Sequence, residues 1–361
     1  MENSPRLSVK ASIETLQIGR AFAALAVVLF HAETTLGLPK YLGRDIFPIF
    51  GPGEAGVYYF FVLSGFVMVT AHARDLGRSN VVLPFLWKRF RRIYPALWVV
   101  LTSQAVLFLL IPQDRIAAAE LPWIIMKDFL ILPWGGPSLL SVEWTLRHEI
   151  LFYGAFAVIL LVPHWRWMIT GAALAVIMTG QLVALPAPLE RVVSGYNLLF
   201  GFGIAAALLY RRNAVPAPHA MLALGVVIFL TNWAALAIGL YEKSMVVVWI
   251  YGIGAALTVG GAATLERGSG FAIPAFARLL GDASYAIYLV HYPVVSAACK
   301  ALTRLQSHIP IPDWFIFSLV VGSAVAAGLA FHVGIERPLM AWLPARLDGT
   351  AVRLKRPRFR S

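Results

Sequence analysis

Apolar runs of about 17 to 22 residues recur along this chain of 361 residues, and they decide its class. A helix needs about 20 predominantly apolar residues to cross a hydrocarbon core of about 30 Å. Inside that core every backbone N–H and C=O must be bonded within the chain, which leaves helices as the spanning element for runs of this length. Ten runs qualify, at roughly 16–35, 55–73, 93–111, 144–162, 167–184, 194–210, 220–240, 245–265, 284–302 and 314–334. The expected fold is all-α: a polytopic membrane protein with about ten transmembrane helices. Composition agrees, with 59% hydrophobic and 13% charged residues, against roughly 25% charged in soluble domains.

Charge placement orients the chain. With the N-terminus inside, the inner segments carry Arg6 and Lys10, then Arg74, Arg78, Lys88, Arg89, Arg91 and Arg92. They continue through Arg166, Arg211, Arg212, Arg267, Arg278 and Arg337 to the basic tail. Twenty of the 30 Lys and Arg fall inside and eight outside, so the positive-inside rule puts both termini in the cytoplasm. The net charge of +12 then tracks cytoplasmic loops, and nucleic-acid binding is not expected. The first span follows a basic stretch, contains Arg20 and is too long for a signal h-region, so it reads as a retained signal anchor. Residues 1–340 form one membrane domain. Residues 341–361 form a basic cytoplasmic tail lying against anionic lipid. The long outer segment 112–143 holds LPWIIMKDFLIL, 12 apolar residues that are too short to span and read as a re-entrant or interfacial helix. The single Cys299 excludes an intramolecular disulfide.

Several polar groups sit where lipid would penalise them. Arg20 and His31 lie in the first span, eleven residues apart and so three turns on, on one face of a helix. An ionisable group near the bilayer centre costs about 2.5–3.5 kcal/mol on insertion scales, so such groups tend to face a protein interior or a water-filled cavity. An interfacial anchor at Arg20 with a satisfied histidine at His31 is the structural alternative. Ser64-Gly65 in the second span reads as a packing notch. In WKRFRRIYP four cations, Lys88, Arg89, Arg91 and Arg92, precede Pro95, which opens the third span. They mark either a topogenic anchor or a site for a phosphate-bearing cytosolic ligand. The fourth span opens VEWTLRHEILFY, with Glu149 about 7–8 Å below the outer surface. Glu149 can orient the imidazole of His31 there. A structural ion pair of Arg147 with Glu143 or Glu149 competes with that reading. His291 lies near mid-membrane in the ninth span, and Glu336 and Arg337 can pair at the inner interface.

In chain order the pieces are Arg20-x10-His31, Gly56-Val57 through Phe60-Phe61-Val62-Leu63-Ser64-Gly65-Phe66, and Arg89-x-x-Arg92-Ile93-x-Pro95. Next come Trp144-Thr145-Leu146-x-x-Glu149 with Phe152-Tyr153, then Gly281-x-x-Ser284-Tyr285-x-Ile287-Tyr288-Leu289-x-His291-x-Pro293, and last Glu336-Arg337-Pro338. Together they resemble the acyltransferase type 3 family of integral-membrane O-acyltransferases, most closely its exopolysaccharide acetyltransferase branch. Two positions depart from the family pattern. Tyr58 stands where an acidic residue often follows Gly-Val, and no acidic residue precedes Arg20 in Leu16-Gln17-Ile18-Gly19.

The resemblance implies a ten-helix domain in a bacterial inner membrane. It would take an acyl group, acetyl in the simplest case, from cytosolic acyl-CoA. The acceptor would be a carbohydrate hydroxyl of an exopolysaccharide, lipopolysaccharide or related glycan, free or lipid-linked. His31 would be the base or acyl carrier, and Glu149 the family's functional glutamate. Arg89 and Arg92 would contact the donor's phosphates, with Arg20 helping to neutralise the donor. Ser64, Trp144, Tyr285 and His291 are further candidates. Direct transfer and an acyl-histidine intermediate both fit. No metal is expected, since no His-x-x-x-His pair or Cys cluster occurs. The alternative class is a transporter or flippase of a lipid-linked sugar, in which intramembrane charge is equally expected.

Overall fold

The computed structural model describes residues 13–110, 117–268 and 272–343. Arg6, Lys10, Arg115 and all of the expected basic tail beyond residue 343 lie outside the described residues. Regular structure among the described residues is helical throughout. Among the described residues nine helical segments are long and apolar enough to cross a membrane, and the chain is a multi-pass membrane protein. Its helices gather into two units, taken in turn below.

The first unit, among the described residues, falls within 13–70 and 198–329. It contains α1 (Glu14–Leu36), most of α2 (Ala55–His72) and, from the later chain, all but the first residue of a helix at Asn197–Arg211. Helices at Pro218–Ala237, Met245–Gly268, Ala275–Asp282, Ser284–Gln306 and Asp313–Phe331 complete it. Ala24, Val28, Ala32 and Leu36 recur every fourth residue on α1 and so share one stripe. That stripe packs with Ile287, Val295 and Cys299 of the Ser284–Gln306 helix and with Ile316, Val320 and Ala324 of the Asp313–Phe331 helix. At the far end of α1 the buried Glu33 accepts the amides of Ile46 and Phe47 at 2.8 and 2.9 Å, tying the following loop to the helix.

The Ser64-Gly65 notch is a helix crossing. A Cβ on Gly65 would lie 2.1 Å from the Phe200 carbonyl oxygen, and one on Gly203 would lie 1.9 Å from that of Val62. Backbone thus meets backbone on both sides, as small residues permit where no hydrophobic force drives lipid-facing helices together. Gly65→Val should cost at least about 3 kcal/mol, the upper end of overpacking penalties. A thermal midpoint in detergent checks this; an unchanged midpoint would mean that the crossing can open freely.

The second unit, again among the described residues, falls within 71–197 and 330–343. Its spine is α3 (Val82–Leu110), which starts eleven residues before the expected third span. The cation cluster therefore lies within the helix, and Pro95 is an interior residue rather than its opening. The apolar run Val82–Leu86 extends the helix backwards, and the cations follow roughly two to three turns in. A site at the helix N-terminus built from those four cations is thereby excluded. Next come α4 (Leu121–Phe129), α5 (Trp144–Leu161), α6 (Arg166–Gly180) and α7 (Leu189–Val192). With the first unit's helices numbered α8 to α13 in chain order, a π-helical turn at His332–Glu336 leads into α14 (Arg337–Trp342).

The run expected at 167–184 appears as α6, with 15 residues, about 22 Å at ~1.5 Å per residue. It is shorter than the nine spanning segments. Gln181 closes it by donating Nε2 to the carbonyls of Ile177 and Val193 at 3.0 and 2.9 Å.

The segment 112–143 contains α4, whose end meets the middle of α3. Trp98 Nε1 donates to the Phe129 carbonyl at 2.9 Å, and the Tyr94 hydroxyl to that of Leu130 at 3.3 Å. Trp98 is the seventeenth of the 29 residues of α3. The end of α4 therefore lies alongside the middle of α3.

Candidate functional site

In the first unit the polar side chains of α1 meet those of α12. Arg20 donates from Nε and Nη2 to Ser284 Oγ at 3.1 and 3.0 Å. Ser284 is fully buried at the start of α12, with the half-buried Tyr285 beside it. Three turns along α1 from Arg20, the half-buried His31 ring lies 5.1 Å, centroid to centroid, from each of His291 and Tyr292. His291 is fully buried. Its Nδ1 lies 2.7 Å from the Tyr288 carbonyl, so Nδ1 carries the proton and Nε2 is left as the ring's acceptor. Nε2 is buried without a hydrogen-bond partner. Arg20, His31, Tyr285 and His291 thus share one pair of helices. Ser64 sits at the α2–α8 crossing.

In the second unit, α3 and α5 carry a second cluster. The Arg89 guanidinium lies over the rings of Phe85 and Tyr153, at 5.6 and 5.5 Å from their centroids. Its Nη2 is 3.4 Å from His72 Nε2, and His72 Nδ1 is 2.9 Å from Asp75. Cation–π contact is favourable where water is excluded. The Tyr153 hydroxyl donates to Glu149. Glu149 is therefore joined, through the next residue on its own helix face, to Arg89. Arg92 donates to Glu336 at 2.7 Å, and Glu336 also takes His332 Nδ1 at 2.6 Å. The expected Glu336–Arg337 pair is replaced by Glu336–Arg92. The π-helical turn accounts for this by placing the nearly fully buried Glu336 toward α3.

A third cluster was only half legible. Arg147 donates to Glu143 at 2.9 and 2.7 Å and to Asp128 at 2.9 Å, so of the two expected partners Glu143 is the one it takes. Asp128 Oδ2 also accepts Ser138 Oγ at 2.9 Å and the Leu139 amide at 2.7 Å. Lys127 reaches the carbonyl of Pro137 and lies 3.6 Å from Asp128. All four charged side chains are nearly or fully buried. Burial pushes the Lys127 ammonium below the ordinary lysine range, partly opposed by Asp128. The signal in the sequence was an adjacent Lys-Asp pair inside an otherwise apolar segment, a position where charge needs a partner. Trp144 stands at the head of α5, its ring 5.2 Å from Tyr196 and 5.8 Å from His148. Among the described residues no three His, Cys, Asp or Glu side chains gather as metal ligands.

Comparison with known proteins bears on what these clusters serve. The profile of the acyltransferase domain family, Acyl_transf_3, matches residues 13–333. The chain belongs to this acyltransferase family. It is 31% identical to the exopolysaccharide production protein ExoZ of Rhizobium meliloti over 331 residues, 87% of this chain and 94% of that protein. It is 25% identical to the peptidoglycan O-acetyltransferase OatA of Listeria monocytogenes over 365 residues, 89% of this chain but 54% of that protein. It is 27% identical to the acyltransferase MdmB of Streptomyces mycarofaciens over 370 residues, 91% of each. No solved structure matches the chain. The acyltransferase match takes in α1 through α13, and with them all three polar clusters save the last residues of the π-helical turn.

Proposed function

We propose that this acyltransferase moves an acyl group, acetyl in the simplest case, from cytosolic acyl-CoA to a hydroxyl of an exopolysaccharide or related surface glycan. The setting is a bacterial inner membrane, with both termini cytoplasmic. The observation that carries the reading is the imidazole pair of α1 and α12: His31 with His291 beside it, among helices otherwise built for lipid. Family membership supplies the reaction class. The names of ExoZ, an exopolysaccharide production protein, and OatA, a peptidoglycan O-acetyltransferase, support surface polymers as acceptors.

His31 takes the proton of the acceptor hydroxyl as its oxygen attacks the thioester carbonyl carbon. Collapse of the adduct breaks the carbon–sulfur bond, and the proton leaves with the coenzyme thiol. His291 presents a lone pair beside His31 and steadies it when it carries the proton. Arg20, held by Ser284, lends positive charge on the same helix pair. Arg89 and Arg92 hold the donor's phosphates. Glu149 is assigned to the reaction from the second unit: through Tyr153 it fixes the Arg89 guanidinium. Ser64 and Tyr285 in the first unit and Trp144 in the second are further candidates.

Membranes holding the protein should transfer label from acetyl-CoA into base-labile ester on endogenous polysaccharide. The Arg89→Gln/Arg92→Gln variant should raise the donor KM by about ten-fold or more with a smaller effect on kcat, since phosphate contacts bind donor and transition state alike. An unchanged donor KM would leave those arginines a topogenic and structural role, and absence of any transfer would overturn the reading.

A further inference from the structure

At the head of α5 the second unit has a cleft of about 390 Å³, lined by Ser138, Ser141, Glu143, Trp144, Arg147 and Arg191 together with the turn at Gly136 and Pro137. Its volume falls in the range of small-molecule sites, roughly 300–1,000 Å³. Its walls are fixed. The turn is held by Asp128 through Ser138 and Leu139 and by Lys127 through Pro137. Trp144 is backed by Tyr196 and His148. Asn197 bridges His148, at 2.9 Å, to the Arg191 carbonyl, also at 2.9 Å, which seats α7 against α5.

The charges around the cleft do not cancel. Asp128 and Glu143 are answered by Lys127 and Arg147 in direct contact. Arg191 is the cation left over. Its Nε is buried with no hydrogen-bond partner, while its neighbour Glu190 is exposed. A buried guanidinium N–H without a partner loses its hydration unless an acceptor arrives. Aromatic face, hydroxyls and one surplus guanidinium in a rigid cleft are the features that take a sugar ring bearing a carboxylate. The ring's C–H face packs on the indole, and its anionic oxygen meets the arginine.

We infer that this cleft is a subsite for a uronic-acid unit of the carbohydrate acceptor, with Trp144 as its platform and Arg191 as its specificity-determining residue. The inference rests on the transferase reading for the word acceptor, but not for the binding itself.

The test is binding of two probes, a glucuronic-acid tetrasaccharide and cellotetraose, to the detergent-solubilised full-length protein. The acidic probe should bind about ten-fold more tightly, the scale of one charge-assisted hydrogen bond. Arg191→Gln should remove that preference without weakening cellotetraose. Trp144→Ala should weaken both probes by about ten-fold or more, with Trp144→Phe retaining most of the affinity if the alanine variant does not fold. Equal binding of the two probes, or a preference that survives Arg191→Gln, would overturn the subsite. A parallel acyl-transfer assay separates the two proposals. Transfer with an acceptor KM indifferent to Arg191→Gln removes the subsite and leaves the transferase. Acidic-probe binding lost in Arg191→Gln, with no transfer by any form, leaves the subsite and removes the transferase.

Discussion

Replacing His31 by alanine should lower acyl transfer by about 10²–10⁴-fold, the usual contribution of a positioned general base. The loss should appear in kcat, with coenzyme A binding nearly unchanged, because the ring is assigned to the reacting hydroxyl and not to the donor's phosphates. Stability should hardly move. His31 is half-buried and touches Phe30, His291 and Tyr292 at its ring, whereas the apolar stripe of α1 runs through Ala24, Val28, Ala32 and Leu36. The measurement is initial rate of label entering base-labile ester, beside equilibrium binding of coenzyme A to the same preparation. Transfer within about three-fold of wild type would remove His31 from the chemistry, since that is barely 0.7 kcal/mol of barrier. His31→Gln keeps a polar side chain without the base and should be as inactive as alanine.

The largest stability effect is expected at Arg147. Replacing it by methionine leaves Asp128 and Glu143, both fully buried, with Lys127 as the one remaining cation of the cluster. Breaking a buried pair from one side typically costs about 3–5 kcal/mol, because the abandoned charge stays where water cannot reach it. Here the cost falls on the hairpin 130–140, whose Ser138 and Leu139 are bonded to the same Asp128. The Arg147→Met variant should show a strongly lowered thermal midpoint in detergent and early proteolysis within that hairpin. Adding Glu143→Gln should recover part of the loss by removing one of the stranded charges. A variant as stable as wild type would mean that the network is hydrated and that the hairpin is held by its apolar contacts alone. The two variants also pull apart the roles of the clusters: one should lose rate and keep its fold, the other should lose its fold first.

Which positions form spanning helices was written in the chain. The predicted bounds 16–35, 55–73, 144–162 and 284–302 are met by helices at Glu14–Leu36, Ala55–His72, Trp144–Leu161 and Ser284–Gln306. Lipid solvation makes this legible, because the cost of leaving a backbone unbonded in hydrocarbon is paid residue by residue along one segment. The weaker predictions fell where length and hydropathy disagree. The run near 167 yields a helix of 15 residues, and α3 reaches back through four cations to Val82. A window that scores charge as a boundary stops at Arg92. The helix does not stop there, since Arg89 and Arg92 find Tyr153, His72 and Glu336.

The sequence by itself determined the class of the protein, the positions of most of its helices, and the family to which its motifs belong. Each of those follows from local composition or from spacing along one strand of sequence. The tertiary structure alone decided which polar group answers which. Arg147 takes Asp128 as well as Glu143, Arg92 takes Glu336 in place of Arg337, Glu149 takes Tyr153, and His31 comes to lie against His291. These partners are 19, 244, 4 and 260 residues apart or are chosen among several at similar spacing. In an apolar interior every charge and donor must find a partner, but the need does not name the partner. Only the packing of the helices, set by apolar stripes and by notches such as Gly65 and Gly203, brings one candidate within reach and leaves the others out of it.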